Sequence, residues 1–254
     1  MENFKQSFAW WSFIREGADA DAILSAAAEM GYLGVDLVPQ ERWAQVKKHG
    51  LAVSSINGHA AIQDGLNRVE NRERIVRELT ANILLAIREN IPNLICFSGR
   101  RYEIAPGAAQ TICAETLAAV AGQAEQAGVT LALETLNSKV DHPGYDGDHI
   151  DWVVKVVEQV NSPRVKALYD IYHLQIMEGD LIRSIQKYHP HIAHYHTAGN
   201  PGRADLDETQ EIQYPPIIRA IADTGYDGFI CHEFIPKGDP VQALRAAYQL
   251  CDVG

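Results

Sequence analysis

Short apolar or β-branched runs alternate along the chain with longer segments of helical period, the pattern that folds as βα units around a parallel sheet. The short runs predict eight strands, at Phe8–Phe13, Gly34–Leu37, Ala52–Ile56, Leu94–Phe97, Thr130–Thr135, Ala167–Asp170, Ile192–His196 and Phe229–Phe234. Each leads into a loop, and most lead on into a readable helix. Asp19 is placed to accept from the open N–H groups of a helix that runs through Met30 and stops at Gly31. Asn71–Asn90 is charged on one face and apolar on the other and ends before Pro92, and alanine-rich Thr111–Gln126 stops at Gly128. Asp148 is expected to cap a helix reaching Val160 ahead of Pro163, and Pro215 opens another that ends at Gly225. Eight such phrases, with no low-complexity linker between them, predict a single (β/α)8 barrel over residues 1–254, a length close to the ~250 residues typical of that fold.

Composition narrows the partners. A hydrophobic share of 46% and a charged share of 22% leave material for a full core and give no disorder signature. With 33 acidic and 22 basic residues the formal charge is −11, so the chain repels nucleic-acid phosphates and anionic membranes, and neither is expected as a partner. No uncharged apolar run reaches the roughly 18 residues a spanning helix needs. Met1–Ala9 lacks the apolar core and cleavage site of an export signal, so a cytoplasmic location is expected. Cys96, Cys113, Cys231 and Cys251 form no CxxC pair and sit mostly in apolar runs, as reduced core residues do.

The chemistry gathers where four successive strands end in polar residues. Strand five reads Leu131-Ala132-Leu133-Glu134, strand six Ala167-Leu168-Tyr169-Asp170, strand seven His194-Tyr195-His196 and strand eight Ile230-Cys231-His232-Glu233. In a barrel of this kind, side chains at the C-terminal strand ends point into the mouth. One such carboxylate is usually a salt bridge or a helix cap; four polar ends on adjacent strands are not. Three carboxylates and an imidazole meeting at one point, with no matching lysines at those strand ends, carry an electrostatic cost that a divalent cation relieves. The oxygen-rich donor set, Glu134, Asp170, His196 and Glu233, suits Mn²⁺ or Mg²⁺ first, with Co²⁺ or Zn²⁺ also compatible.

The spacing of Glu134, Asp170-Ile171-Tyr172-His173, His196 through Gly202-Arg203, and His232-Glu233-Phe234 resembles the sugar isomerase and epimerase superfamily of xylose-isomerase-like TIM barrels, over nearly the whole chain. Within it, Glu134-Thr135-Leu136-Asn137, the Pro201-Gly202-Arg203 turn and Glu233-Phe234 are most similar to hydroxypyruvate isomerases, with ketose 3-epimerases next. The resemblance implies that Glu134 and Glu233 are metal-bound catalytic base and acid, and that His173 and Arg203 contact the substrate, a small carbohydrate or sugar acid. It also implies that one glutamate removes the proton next to a carbonyl, giving a metal-stabilised enediolate that is reprotonated to an isomer or an epimer. Such barrels are often homo-oligomers. One departure stands out: hydroxypyruvate isomerases of this type tend to carry glutamine at the strand-seven ligand position, where this chain has His196, as 3-epimerases do.

Other polar residues are placed near the mouth. His59, after strand three, and Trp11, from strand one, are candidate substrate contacts, although a loop histidine is more often structural and one of Trp10 and Trp11 is expected in the core. His142, His149 and Asp141 lie in the long loop 136–147 or just past it, and Arg100 and Arg101 follow strand four; capping or surface pairing is the default for each. Three other functions share parts of the pattern. A dehydratase or lyase acting on polyols or hydroxy acids would use the same enediolate. An apurinic endonuclease would need several metal ions and a basic face. A sugar-binding barrel with an inert metal would need neither glutamate for turnover.

Overall fold

A computed structural model describes residues 4–101, 104–105 and 107–253; Met1–Asn3, at the start of the segment read for an export signal, lie outside the described residues. Eight strands close in chain order into a parallel barrel: β1 (Lys5–Ala9), β2 (Gly34–Asp36), β3 (Ala52–Asn57), β4 (Asn93–Cys96), β5 (Thr130–Glu134), β6 (Val165–Asp170), β7 (Ile192–Thr197) and β8 (Phe229–His232). The eight βα phrases thus close as their spacing predicts.

The backbone gathers into two compact units. One comprises the chain through Ser55, Asp180–His189 and the chain from His194 on; the other comprises Ile56–Gly179 and Pro190–Ala193. In the first, β1 lies between β2 and β8, with Phe8 opposite both Val35 and His232, and β7 pairs with β8 through His196 and Cys231. The β2–β3 register shifts between Val35 and Asp36, so that Asp36 pairs with Ser55 while Val35 pairs with Val53. This irregularity places one extra residue, Ser54, beside Asp36. In the second unit, β5 lies between β4 and β6, pairing Ile95 with Ala132 and Glu134 with Leu168. Every residue of β4 and β5 is buried, as expected for parallel strands covered on both faces.

Helix ends follow the punctuation in part. Asp19 caps Ala20–Met30, its carboxylate accepting from the Ala22 N–H at 3.1 Å, and Gly31 ends the helix in the left-handed conformation. Arg72–Glu89 ends on left-handed Asn90, Ala108–Ala127 on Gly128, and Tyr214–Ala222 carries its proline in the first turn. Two expectations change. Strand one is Lys5–Ala9 and not Phe8–Phe13: Trp10–Phe13 form a helical turn, closed by the Ile14 N–H donating to the Trp10 carbonyl at 2.8 Å. A continuous apolar run has no period to separate strand from helix, and here Phe13 packs edge-on against Phe8 and Phe234. Likewise Asp148 does not cap the helix Ile150–Val160. Its carboxylate is taken by Ser138 (2.6 Å) and His149 (2.7 Å), and Glu178 accepts from the Ile150 N–H at 2.7 Å instead.

All four cysteines are buried, with no disulfide among the described residues, and burial pushes the Cys96, Cys113 and Cys231 thiols well up. No helix among the described residues is long and apolar enough to cross a membrane.

Candidate active site

Glu134 and Asp170 end β5 and β6 and are almost wholly buried, at 4% and 2% exposure. Thr135 ties the two strand ends together: its hydroxyl donates to the Leu168 carbonyl (3.3 Å) and accepts from the Asp170 N–H (3.1 Å). Asp170 also caps the helix Ile171–Met177, with Oδ1 accepting from the His173 N–H at 2.8 Å. That bond uses one oxygen for the helix and fixes where the other lies, with Oδ2 3.8 Å from His173 Nε2. Tyr145 holds the start of the loop after β5, donating to the Glu134 carbonyl (3.1 Å) and accepting from the Ser98 N–H (2.8 Å). Burial raises the Tyr145 phenol well above its usual range.

In the first unit, His196 is fully buried near the end of β7, and Glu233 lies just past β8 and is 4% exposed. His196 Nδ1 lies 3.1 Å from Glu233 Oε2, and Arg203 donates to the same oxygen at 2.6 Å. The Trp11 indole N–H donates to Oε1 at 2.8 Å, and the Arg203 guanidinium lies over the Trp11 ring, 5.2 Å from its centroid. Burial by itself would raise the Glu233 carboxyl. The charges of His196 and Arg203, with the hydrogen bonds from His196 and Trp11, outweigh burial and hold it well below the carboxylate range. Arg203 reaches this position from a tight loop in which Gly199 and Ala204 form an antiparallel bridge. A Cβ on Gly199 would sit 2.3 Å from the Asp205 carbonyl oxygen, so the close approach there needs glycine.

Beneath His196 lies a polar cluster that the strand-end pattern did not reveal. Asp36, at the end of β2, is fully buried. It accepts from Ser7 (2.7 Å) and Ser54 (2.5 Å) on Oδ1, and from Ser55 (2.5 Å) and His194 Nε2 (2.7 Å) on Oδ2. His196 Nε2 is 3.8 Å from Oδ2. Burial opposes ionisation of Asp36, but the charge and hydrogen bonds of His194 and His196 overcome it and hold the carboxyl well below its usual value. The available signal was the single aspartate of Gly34-Val35-Asp36, an acid closing an apolar strand as Glu134 and Asp170 do.

Each unit presents a buried pair of the expected donors, Glu134 with Asp170 in one and His196 with Glu233 in the other. Three carboxylates and one imidazole make up a donor set suited by type to a divalent ion of the oxygen-preferring kind. The only other such group among the described residues, Asp36, His196 and Cys231, shares His196. Its aspartate is already occupied by three hydroxyls and an imidazole, and its thiol is held protonated by burial.

Of the expected substrate contacts, His173 packs beside Asp170, and Trp11 and Arg203 both bond Glu233. His59 takes the structural role instead: it is buried, with Nδ1 on the Ala60 carbonyl (3.0 Å) and Nε2 accepting from the Phe97 N–H (3.0 Å), so both nitrogens are spent on backbone. Trp10 is buried while Trp11 is 40% exposed. Arg101 pairs with Asp146 (3.1 Å) and Asp148 (3.6 Å), clasping the loop after β4 to the loop after β5. Asp141 accepts from Tyr172 (2.9 Å), and His142 stacks edge-on against His173.

A barrel closed in chain order, with acidic and imidazole donors at the ends of β5 to β8, defines a class of protein, and the matching family model spans residues 24–251: the chain belongs to the xylose isomerase-like TIM barrel family. It is 28% identical over 237 residues to a putative hydroxypyruvate isomerase of Mus musculus, covering 87% of this chain and 86% of that protein. A solved structure described as an AP endonuclease, family 2, from Brucella melitensis is 27% identical, with a TM-score of 0.82 over 96% of this chain and 97% of that one. D-psicose 3-epimerase from Clostridium cellulolyticum H10, at 17% identity, shares the fold with a TM-score of 0.77 over 98% of this chain and 96% of that one.

Proposed function

We propose that this chain is a divalent-metal-dependent isomerase of small hydroxy-carbonyl compounds, of the hydroxypyruvate and tartronate semialdehyde kind, with Glu134 and Glu233 as its acid/base pair. The observation that carries the reading is the set of buried donors at the strand ends, Glu134 and Asp170 in one unit and His196 and Glu233 in the other. A divalent ion held by these four, Mn²⁺ or Mg²⁺ by donor type, would polarise the substrate's carbonyl and neighbouring hydroxyl. The remaining work falls to side chains. Trp11 and Arg203 fix both oxygens of Glu233 and keep it ionised, ready to take a proton. Glu134 would serve as the second acid/base group, returning a proton to the carbon next to the one that Glu233 deprotonates. Arg203, charged at every working pH, suits a substrate with a carboxylate or a carbonyl oxygen to hold.

Relatives named hydroxypyruvate isomerase support this substrate class. His196 at the strand-seven position favours a second reading, a ketose 3-epimerase, in which the proton returns to the same carbon from the opposite face. An apurinic endonuclease finds less support: the net charge is −11, and the metal-capable groups among the described residues share one histidine and form no multi-metal cluster. The test is solvent-deuterium incorporation followed by NMR after chelation, with and without Mg²⁺, over hydroxypyruvate, tartronate semialdehyde and a panel of ketoses. Metal-dependent exchange next to the carbonyl is expected, and the labelled carbon separates isomerase from 3-epimerase. Absence of exchange in every substrate, with the ion bound, overturns the reading.

A further inference from the structure

The orientation of one buried amide decides what His173 can do. Asn137, fully buried three residues after Glu134, uses its whole hydrogen-bonding capacity. Its Oδ1 accepts from the Val140 and Asp141 N–H groups, each at 2.9 Å. Because backbone nitrogens only donate, these two bonds settle which end of the amide is oxygen, an assignment otherwise ambiguous. The amino group must therefore face the other way, where it meets Asp141 Oδ2 at 2.6 Å and His173 Nδ1 at 2.6 Å. A carboxylate oxygen is an acceptor, and an imidazole nitrogen facing an N–H must offer its lone pair. Asp141 cannot claim a proton on Nδ1 instead: its Oδ2 stands 3.9 Å from that nitrogen and already accepts from Asn137 and from Tyr172. The His173 ring is held from the sides as well, by edge contacts with His142 (5.4 Å between centroids) and Tyr172 (5.1 Å).

We infer that Asn137 is a positioning residue that locks His173 as the tautomer protonated on Nε2, so that the imidazole presents a fixed hydrogen-bond donor beside Asp170 and not a base. A substrate that contacts His173, as the family resemblance implies, would meet an N–H there, which matches an oxygen gaining negative charge as the neighbouring proton is removed. Proton abstraction is left to the glutamates. This deepens the isomerase reading and rests on it for the identity of the oxygen; the tautomer itself does not.

The lock is read directly by long-range ¹H–¹⁵N correlation of the imidazoles in the full ¹⁵N-histidine-labelled chain, with His173→Gln used to assign the signals. Nδ1 should resonate as an unprotonated ring nitrogen and Nε2 as a protonated one, with or without Mg²⁺. A proton on Nδ1 overturns the inference whether or not the protein turns over substrate. Asn137→Asp, which offers Nδ1 an acceptor, should move the proton to Nδ1; persistence of the Nε2–H form in the folded variant refutes the role. Asn137→Ser serves if the aspartate variant does not fold, and should leave the two tautomers mixed. With hydroxypyruvate, Asn137→Asp, which removes the Nε2–H donor, should lower kcat on the order of 10²-fold, with a smaller change in KM, as for loss of one preorganised donor. In the His173→Gln background, where the amide supplies its own N–H, the same substitution should cost little further; fully additive losses would mean that Asn137 acts only on the fold. If the wild type neither exchanges nor turns over any substrate, the isomerase reading fails while the tautomer measurement still stands.

Discussion

Replacing Asp36 with asparagine tests the buried polar cluster under His196. The carboxylate accepts four hydrogen bonds, two on each oxygen, from Ser7, Ser54, Ser55 and His194. Asparagine keeps one oxygen and so two of the four, and it turns an amino group toward the other pair. Hydrogen bonds to a charged group contribute about 1.5–3 kcal/mol each. A serine hydroxyl can rotate to accept from the new amino group, which recovers one of the two lost bonds. His194 Nε2 faces the carboxylate as a donor and cannot do so without moving its proton to Nδ1. The net loss is about 3 kcal/mol, consistent with the roughly 3–5 kcal/mol that follows removal of one partner from a buried ionic pair. For a chain of this size that lowers the unfolding midpoint by roughly 6–12 °C. The pH dependence has a definite sign. The folded-state carboxyl is held well below its unfolded value, so its contribution is fully present above about pH 4 and fades as pH falls below that. Urea unfolding of Asp36→Asn and wild type at pH 7 and again at pH 3.5 reads both effects. A difference below ~1 kcal/mol at pH 7, or a difference that grows on acidification, would refute the view of Asp36 as an ionised anchor.

His232 should make the protein acid-sensitive in a different window. Buried between Thr197 (2.8 Å) and Gln6 (3.0 Å), its imidazole is pushed down to about 3 by burial; the unfolded chain takes up that proton below about pH 6.5, so stability falls by up to ~1.4 kcal/mol per pH unit from there toward pH 3. His232→Gln should flatten that slope in urea unfolding between pH 6.5 and 4.5, and an unchanged slope counts against a neutral buried histidine. Arg203→Met removes the guanidinium from Glu233 Oε2, so the carboxyl should rise and the acid limb of kcat/KM for hydroxypyruvate should move to higher pH; a stationary limb would show that Arg203 does not tune Glu233. Mg²⁺ or Mn²⁺ at 100 times its dissociation constant should add about 2.7 kcal/mol of stability, and Glu134→Gln or Asp170→Asn should abolish most of that gain; a full shift in either variant would place the ion elsewhere.

The repeating architecture was legible in the order of residues because each βα unit is punctuated locally. Asp19, Gly31, Gly128 and Pro215 act on their own backbone within a few residues, so their effect needs no partner from afar. The strand-end polar residues stood out for a related reason: an acid or imidazole closing an apolar strand is conspicuous wherever the strand lies. Continuous apolar sequence at Phe8–Phe13 was ambiguous between strand and helix, and only packing of Phe13 on Phe8 and Phe234 decided it. The roles of His59, Asn137 and Asp36 depended on tertiary structure throughout. Histidine, asparagine and aspartate can donate, accept or ionise according to what they face. His59 faces the Phe97 N–H, Asn137 faces His173, and Asp36 faces a histidine 158 residues away. Residue type set which bonds these side chains could make; the closed barrel chose among them by supplying the partners.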